Sequence, residues 1–155
     1  MQLKRVGPAV ACVLLTILLG FSIRSEQAHL SGRLNLVAEQ GAHVWSALSD
    51  LEQDPANLEA RYSAAFHYRT FQGEVARLAR WSGVPYESDA GSRLYQDLLT
   101  GAYHVDAYAQ VRTDLRAVVL DWQAAKDDWY IGRGDVARLV GQVEEQINGP
   151  VGKAF

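Results

Sequence analysis

The hydrophobic pattern of this chain opens with an uncharged stretch from Val6 to Ile23 and passes into a heptad repeat. Apolar positions then recur at alternating steps of four and three residues, namely Leu30, Leu34, Val37, Gly41, Val44, Leu48 and Leu51. This spacing keeps one face of a helix apolar, and Gly41 is its only weak position. Because no helix-breaking residue separates the two patterns, the sequence predicts one continuous helix through both.

The stretch 6–23 is typical of a membrane-spanning helix. Such a helix needs about 20 apolar residues, with about 17 at the lower end, and this stretch reaches that lower end. Residues 1–5 form a basic flank, so we expect a single-pass anchor in the inner (cytoplasmic) membrane of a bacterium. Residues 24–155 would then lie on the periplasmic or extracellular side. The alternative is a cleaved signal peptide, although residues 20–24 form a poor cleavage site.

Helical periodicity continues through residues 24–155, and no segment alternates apolar and polar residues as a strand does. The pattern predicts four helices, at about 26–54, 56–82, 89–129 and 135–148. Pro55 ends the first of them, and Asp54 and Asp135 are placed to cap the second and the last. The predicted fold is all-α, an antiparallel bundle of about four helices whose first helix is fused to the membrane span.

The net charge of residues 24–155 argues against two kinds of binding. It carries 15 Lys and Arg residues against 18 Asp and Glu, and two of the basic residues lie within 1–5. Residues 24–155 therefore hold 13 basic and 18 acidic residues, a net charge of −5. This balance argues against binding to nucleic acid and against an electrostatic grip on anionic lipid headgroups. The only cysteine, Cys12, lies in the uncharged stretch, so the predicted bundle needs no disulfide.

The sequence contains no self-sufficient catalytic or metal-binding pattern. None of the four histidines has a second histidine three or four positions away, and no Glu-x-x-His motif occurs; they are His29, His43, His67 and His104. No nucleophile elbow and no phosphate-binding glycine pattern is present. We therefore expect a protein that is not an enzyme and has no cofactor and no metal.

Two features remain as candidate binding residues. Arg112 is the one charged residue on the apolar seam of the third predicted helix, where it would fix the helix register or bind a ligand. The alternative is an arginine whose stem packs at the seam edge while its head reaches water. The second feature is a set of aromatic residues that would contact a partner where they are exposed and fill the core where they are not; its candidates are Trp122, Trp129, Tyr62 and Phe66.

The region 94–123 resembles the LemA family of membrane-anchored bacterial helical bundles. The resemblance is carried by Gln-Asp-Leu-Leu-Thr-Gly at 96–101 and by the run that begins Arg-Thr-Asp-Leu-Arg at 112. Leu115-Arg116 and Trp122-Gln123 stand where that family has Tyr-Asn pairs. The resemblance implies a long-helix bundle with a membrane-organising or scaffolding role and no catalytic residues.

These observations predict a structural, assembly or accessory subunit of a membrane. Its partners would be the lipid bilayer and other membrane or envelope proteins, with self-association as one form of such binding. One alternative is a sensor-like bundle that binds a small ligand near Arg112. Another is a phage or lysis-type envelope protein of the spanin or antiholin kind, which has the same layout of a short span and a helical domain.

Overall fold

All described backbone segments of this protein are helices and their connections, without a strand among them, so the predicted all-α class is confirmed. The structure is a computed structural model that describes residues 3–87, 89–102, 105–128 and 130–149. Side chains are described from residue 10 onward, except at 89–92 and 105–107. The helices are α1 (Leu3–Gln53), α2 (Leu58–Ser82), α3 (Asp89–Thr100), α4 (Val105–Lys126) and α5 (Arg133–Gln142), and a π-helical segment (Val143–Asn148) follows α5.

Helix α1 is continuous from the apolar stretch into the bundle. Its 51 residues give a rod about 77 Å long. Apolar side chains between Val10 and Ile23 are exposed, whereas the heptad positions from Leu30 to Leu51 are buried. By length and composition, this part of α1 is apolar enough to cross a membrane, with a mean hydropathy of 1.4 over its best window. A signal sequence has the same properties.

The prediction of a single third helix at 89–129 is wrong, because the structure has two helices there. Helix α3 ends at Thr100, and Gly101 follows with φ of +80°, a left-handed conformation that favours glycine. A Cβ atom at Gly101 would also lie 2.8 Å from Arg61 Nη1. The backbone therefore breaks at this glycine, and α4 begins a new helix at Val105.

Two predicted helix caps are also corrected. Helix α2 begins at Leu58, and its N-cap is Asn57, whose Oδ1 accepts the N–H of Ala60 at 3.0 Å. Asp54 instead accepts the N–H of Ala56 at 3.1 Å within the preceding turn. Asp135 lies inside the first turn of α5, where its carboxylate accepts the N–H of Gly132 at 2.9 Å.

The helices form a bundle whose four corners are α1, α2, α4 and α5 with the π-helical segment. Helices α2 and α4 each pack along α1, and α5 with the π-helical segment packs against both of them on the side away from α1. Among the described residues, the backbones of α2 and α4 do not run side by side, so the two helices occupy opposite corners. Helix α3 lies beside α2. The outward faces of α2 and α4 consequently point away from each other.

Candidate functional site

The structure removes Trp122 from the predicted partner surface. Its side chain is 0% exposed and belongs to the hydrophobic core between the helices. A wholly buried indole cannot contact a partner protein, so this part of the prediction is wrong. Trp129, the neighbouring candidate, lies outside the described residues.

Arg112 is engaged with an acidic residue on another helix. Its Nη2 donates to Glu52 Oε1 at 2.9 Å, and its Nη1 donates to Glu52 Oε2, which makes a bidentate ion pair between α4 and the C-terminal end of α1. The two acidic residues near it in sequence have other partners, since Asp114 accepts from Gln110 and Asp121 accepts from Gln142. This arrangement fixes the register of α4 on α1 and occupies both terminal nitrogens of the guanidinium.

Tyr62 and Phe66 are both exposed, one turn apart on the outward face of α2. The exposed fractions are 53% for Tyr62 and 67% for Phe66, whereas Tyr68 and Phe71 of the same helix are completely buried and Trp81 near its end is partly buried. Two large aromatic side chains are therefore left in water on one open face of α2, where burial against another surface would remove their hydration cost.

These two residues line a groove between α2 and α3, which we call the aromatic groove. Its volume is about 600 Å³. The residues that define it are Tyr62, Ala65, Phe66, Arg69, Thr70, Gly73, Glu74 and Arg77 of α2 and Tyr95 and Leu99 of α3. Sequence reasoning found Tyr62 and Phe66 but missed the rest, because α3 contributes its wall from a different part of the chain. The lone Gly73 in the middle of α2 was the available signal.

The floor of the aromatic groove has few side-chain atoms, and its rim is basic. A Cβ atom at Gly73 would have nothing within 4 Å, so a second backbone can approach α2 closely there. The Arg69 guanidinium lies 5.5 Å from the centre of the Tyr95 ring, and Arg69 Nη1 donates to the Tyr95 hydroxyl at 3.4 Å. Arg61 lies 5.6 Å from the centre of the Tyr62 ring. Among the described residues, neither arginine forms an ion pair with a carboxylate.

The lower end of the aromatic groove meets a cleft between α1 and α2. Arg77 lines both, and the cleft, of about 460 Å³, also contains His29, Arg33 and Trp81. The buried carboxylate of Glu74 accepts from Arg33 Nη1 at 3.3 Å and, through its other oxygen, from Arg77 Nη1. One carboxylate between two arginines leaves the junction with a net positive charge.

A stacked histidine pair joins α1 to α2 behind the groove. The rings of His43 and His67 lie 4.5 Å apart at 24°, and His67 Nδ1–H donates to Gln40 Oε1 at 2.7 Å. Burial, aided by the neighbouring His43, lowers the pKa of His67, and Glu39 opposes this effect. A spacing of three or four positions reveals only histidine pairs within one helix, so the sequence pattern did not predict this pair between two helices. No cluster of three metal-ligating residues occurs in the part of the chain that the structure describes.

A second polar feature is buried at the other edge of α2. Gln72 Nε2 donates to the Tyr68 hydroxyl and to Asn148 Oδ1, both at 2.9 Å, while the Tyr86 hydroxyl donates to Gln72 Oε1. Asn148 Nδ2 in turn donates to Glu144 Oε2 at 3.3 Å. Burial raises the pKa of both tyrosine hydroxyls above their ordinary range, which keeps them neutral. This network fastens the π-helical segment to α2.

Comparison with known proteins adds no relative. A scan against protein-family models, a search of curated proteins and a search of solved structures each found no match to this chain.

Proposed function

We propose that this protein is a membrane-anchored helical module that holds a partner protein in the aromatic groove. The observation that carries the proposal is the exposure of Phe66 and Tyr62 on one face of α2 beside the open backbone of Gly73. Soluble surfaces rarely expose neighbouring aromatic residues unless they bind something. The same class of role is what the resemblance to the LemA family implies.

The position of the groove favours a protein over a lipid as its occupant. His67, next to Phe66, bonds to Gln40 of α1, which lies 17 positions beyond the last apolar residue of the proposed span, Ile23. At 1.5 Å per residue this places the aromatic residues about 26 Å above the end of the span. The headgroup layer of a bilayer is only about 5–8 Å thick on each side, so Phe66 would stand well clear of it.

The chemistry of the groove defines the segment that fits it. Its centre is aromatic and apolar, its floor is a glycine, and its rim carries Arg69 and Arg77. An amphipathic helix can place apolar residues spaced three and four apart along such a floor. Acidic residues beside that apolar stripe would complement the rim. The partner is therefore a protein of the same membrane or envelope that presents an acidic amphipathic helix.

Photo-crosslinking in intact membranes tests this function. The full chain would carry p-benzoylphenylalanine at position 66, and a matched variant would carry it at Arg138, an exposed position on α5 outside the groove. We expect an adduct at position 66 whose attached peptide maps to an acidic amphipathic helix. Adducts with lipid alone, or an equal yield from both positions, would contradict the proposal.

A substitution provides the complementary measurement. Phe66→Glu keeps α2 helical, because the side chain is two-thirds exposed, but places a charge in the centre of the groove. We expect a loss of the position-62 adduct when the crosslinker is moved to Tyr62, with an unchanged thermal midpoint. Glu59→Lys on the same helix, outside the groove, is the matched charge-change control.

A further inference from the structure

We infer that the partner in the aromatic groove is helix α4 of a second copy of this chain, so that copies associate head to tail in the plane of the membrane. This inference rests on the proposed function and names its partner. It is carried by three properties of the two surfaces: their opposite positions on the bundle, their equal height along α1 and their opposite charge.

The outward face of α4 has the features of the segment that the groove requires. Leu120 is 56% exposed at its centre, and the small residues Ala117 and Ala124 lie exposed on either side, at i−3 and i+4. An apolar residue flanked by alanines allows close approach to another helix along one stripe. Asp121 borders one side of this stripe, and Asp128 lies in the turn that follows α4; neither forms an ion pair within the described part of the chain. Arg116 borders the other side, where its guanidinium lies 5.5 Å from the centre of the Trp45 ring of α1.

The two surfaces lie at opposite corners of the bundle. Helices α2 and α4 both pack on α1, and in the described residues their backbones do not run side by side. A copy can therefore offer its groove to one neighbour and its α4 face to another at the same time. Such a contact is heterologous, and it produces a ring if the rotation between copies closes and an open row if it does not.

The two surfaces also stand at the same height. His67 bonds to Gln40, and a Cβ atom at Gly41 would touch Val119, so α2 and α4 meet the same turn of α1 at these points. Phe66 precedes His67 by one residue, and Leu120 follows Val119 by one. Because α2 and α4 both run antiparallel to α1, Phe66 is level with Gly41 and Leu120 with Gln40, so they differ in height by only about 1.5 Å. Two copies anchored with the same orientation thus present groove and stripe to each other without tilting.

Oppositely charged residues of the two surfaces also lie at matching heights along α1. Arg69 lies two residues beyond His67, and Asp121 lies two residues beyond Val119. At this height the basic rim of one copy therefore faces the acidic border of the next, which steers and orients their association.

Disulfide crosslinking between differently tagged copies tests the geometry. In a Cys12→Ala background of the full chain, Phe66→Cys in one copy would be paired with Leu120→Cys in the other and oxidised in the membrane. We expect a heterotypic dimer in clear excess over the 66–66 and 120–120 pairs. Tyr62→Cys with Ala117→Cys is an independent second pair at matched height, and Glu59→Cys with Leu120→Cys is the mismatched control about 12 Å apart in height.

Charge reversal tests the register. Arg69→Glu should lower the 66–120 crosslinking rate about fivefold, the equivalent of about 1 kcal/mol for a rim charge pair. Asp121→Arg in the neighbouring copy should restore it, because opposite charges would then face each other again.

The outcomes separate this inference from the proposed function. A dominant 66–66 dimer, or no crosslink from either matched pair, overturns head-to-tail association. If the benzoylphenylalanine adduct at position 66 then maps to another protein, the groove still binds a partner and only the self-association is wrong. If position 66 gives no protein adduct at all, both proposals fail.

Discussion

At the scale of single residues, the weak position of the heptad repeat turns out to be a point of close contact. A Cβ atom at Gly41 would lie 2.6 Å from Val119 Cγ2 and 3.3 Å from Phe71 Cε2. Gly41 therefore lets α2 and α4 approach α1 at one level, which is the level that aligns the two outward faces. The gap in the apolar pattern reflects the need for space and not an interruption of the helix.

Gly41→Ala should destabilise the protein. The added methyl forces the packed Val119 and Phe71 to move, which costs about 1–3 kcal/mol, whereas the gain in helix propensity is at most about 1 kcal/mol. Gly32→Ala on the same helix is the matched control, because nothing lies within 4 Å of a Cβ there. Urea unfolding of the two variants checks this, and equal or higher stability of Gly41→Ala would show that the contact is loose.

His67 should make stability depend on pH. Burial lowers its pKa below the ordinary value near 6.5, so the unfolded chain binds this proton more readily than the folded protein does. Stability contributed by the neutral ring is present above pH 6.5 and is lost as the pH falls from there toward the lowered pKa. We expect His67→Gln to reduce the loss of stability between pH 7.5 and 5.5 in urea titrations. His29→Gln, at an exposed position on α1, should retain the wild-type dependence.

At the scale of elements, the C-terminal π-helical segment depends on polar contacts with α2. Gln72 is only 7% exposed and its amide uses two donated bonds and one accepted bond, which reach Tyr68, Asn148 and Tyr86. Glu144 adds a bond in which its Oε1 accepts the N–H of Glu87 at 2.7 Å. These bonds tie the segment to α2 and to the loop that follows α2, in addition to the apolar contacts of Val143 and Ile147.

Gln72→Leu should therefore cost about 2–4 kcal/mol, because it leaves the buried polar groups of Tyr86 and Asn148 without their partner. Hydrogen exchange should rise first in residues 143–148. Gln110→Leu, which removes an exposed bond to Asp114 within α4, is the control and should change stability by less than about 0.5 kcal/mol. Similar effects of the two substitutions would argue that the buried network adds no net stability.

At the scale of the whole molecule, α1 determines how far the bundle stands from the proposed membrane. The helix passes from Ile23 to Leu30 without a break, and the far side of the bundle is locked onto this junction. Gln27 accepts the N–H of Ile131 at 2.7 Å and donates to its carbonyl at 3.1 Å, and Ser31 donates to the carbonyl of Lys126 at 2.9 Å. The span and the bundle should thus behave as one rigid body.

Limited proteolysis of the full chain in membranes checks this rigidity. We expect trypsin to spare Arg24, because its helical backbone is held in place by the Gln27 and Ser31 contacts. Gln27→Ala should increase cleavage there, whereas Ser49→Ala, which removes only a bond within α1, should not. Rapid cleavage of the unmodified chain at Arg24 would contradict a rigid connection.

The sequence by itself determined the helical class, the unbroken α1 and the inward positions of the heptad repeat. Each follows from local spacing, because residues three and four apart share one face of a helix. The tertiary structure alone decided the helix break at Gly101, the ion pair of Arg112 with Glu52 and which aromatic residues are buried. Trp122 is buried and Phe66 is exposed, although both lie in amphipathic helices, because burial depends on which neighbouring helix covers a face. The helix that covers a face comes from a distant part of the chain, so the apolar period of one helix cannot predict which of its faces is buried.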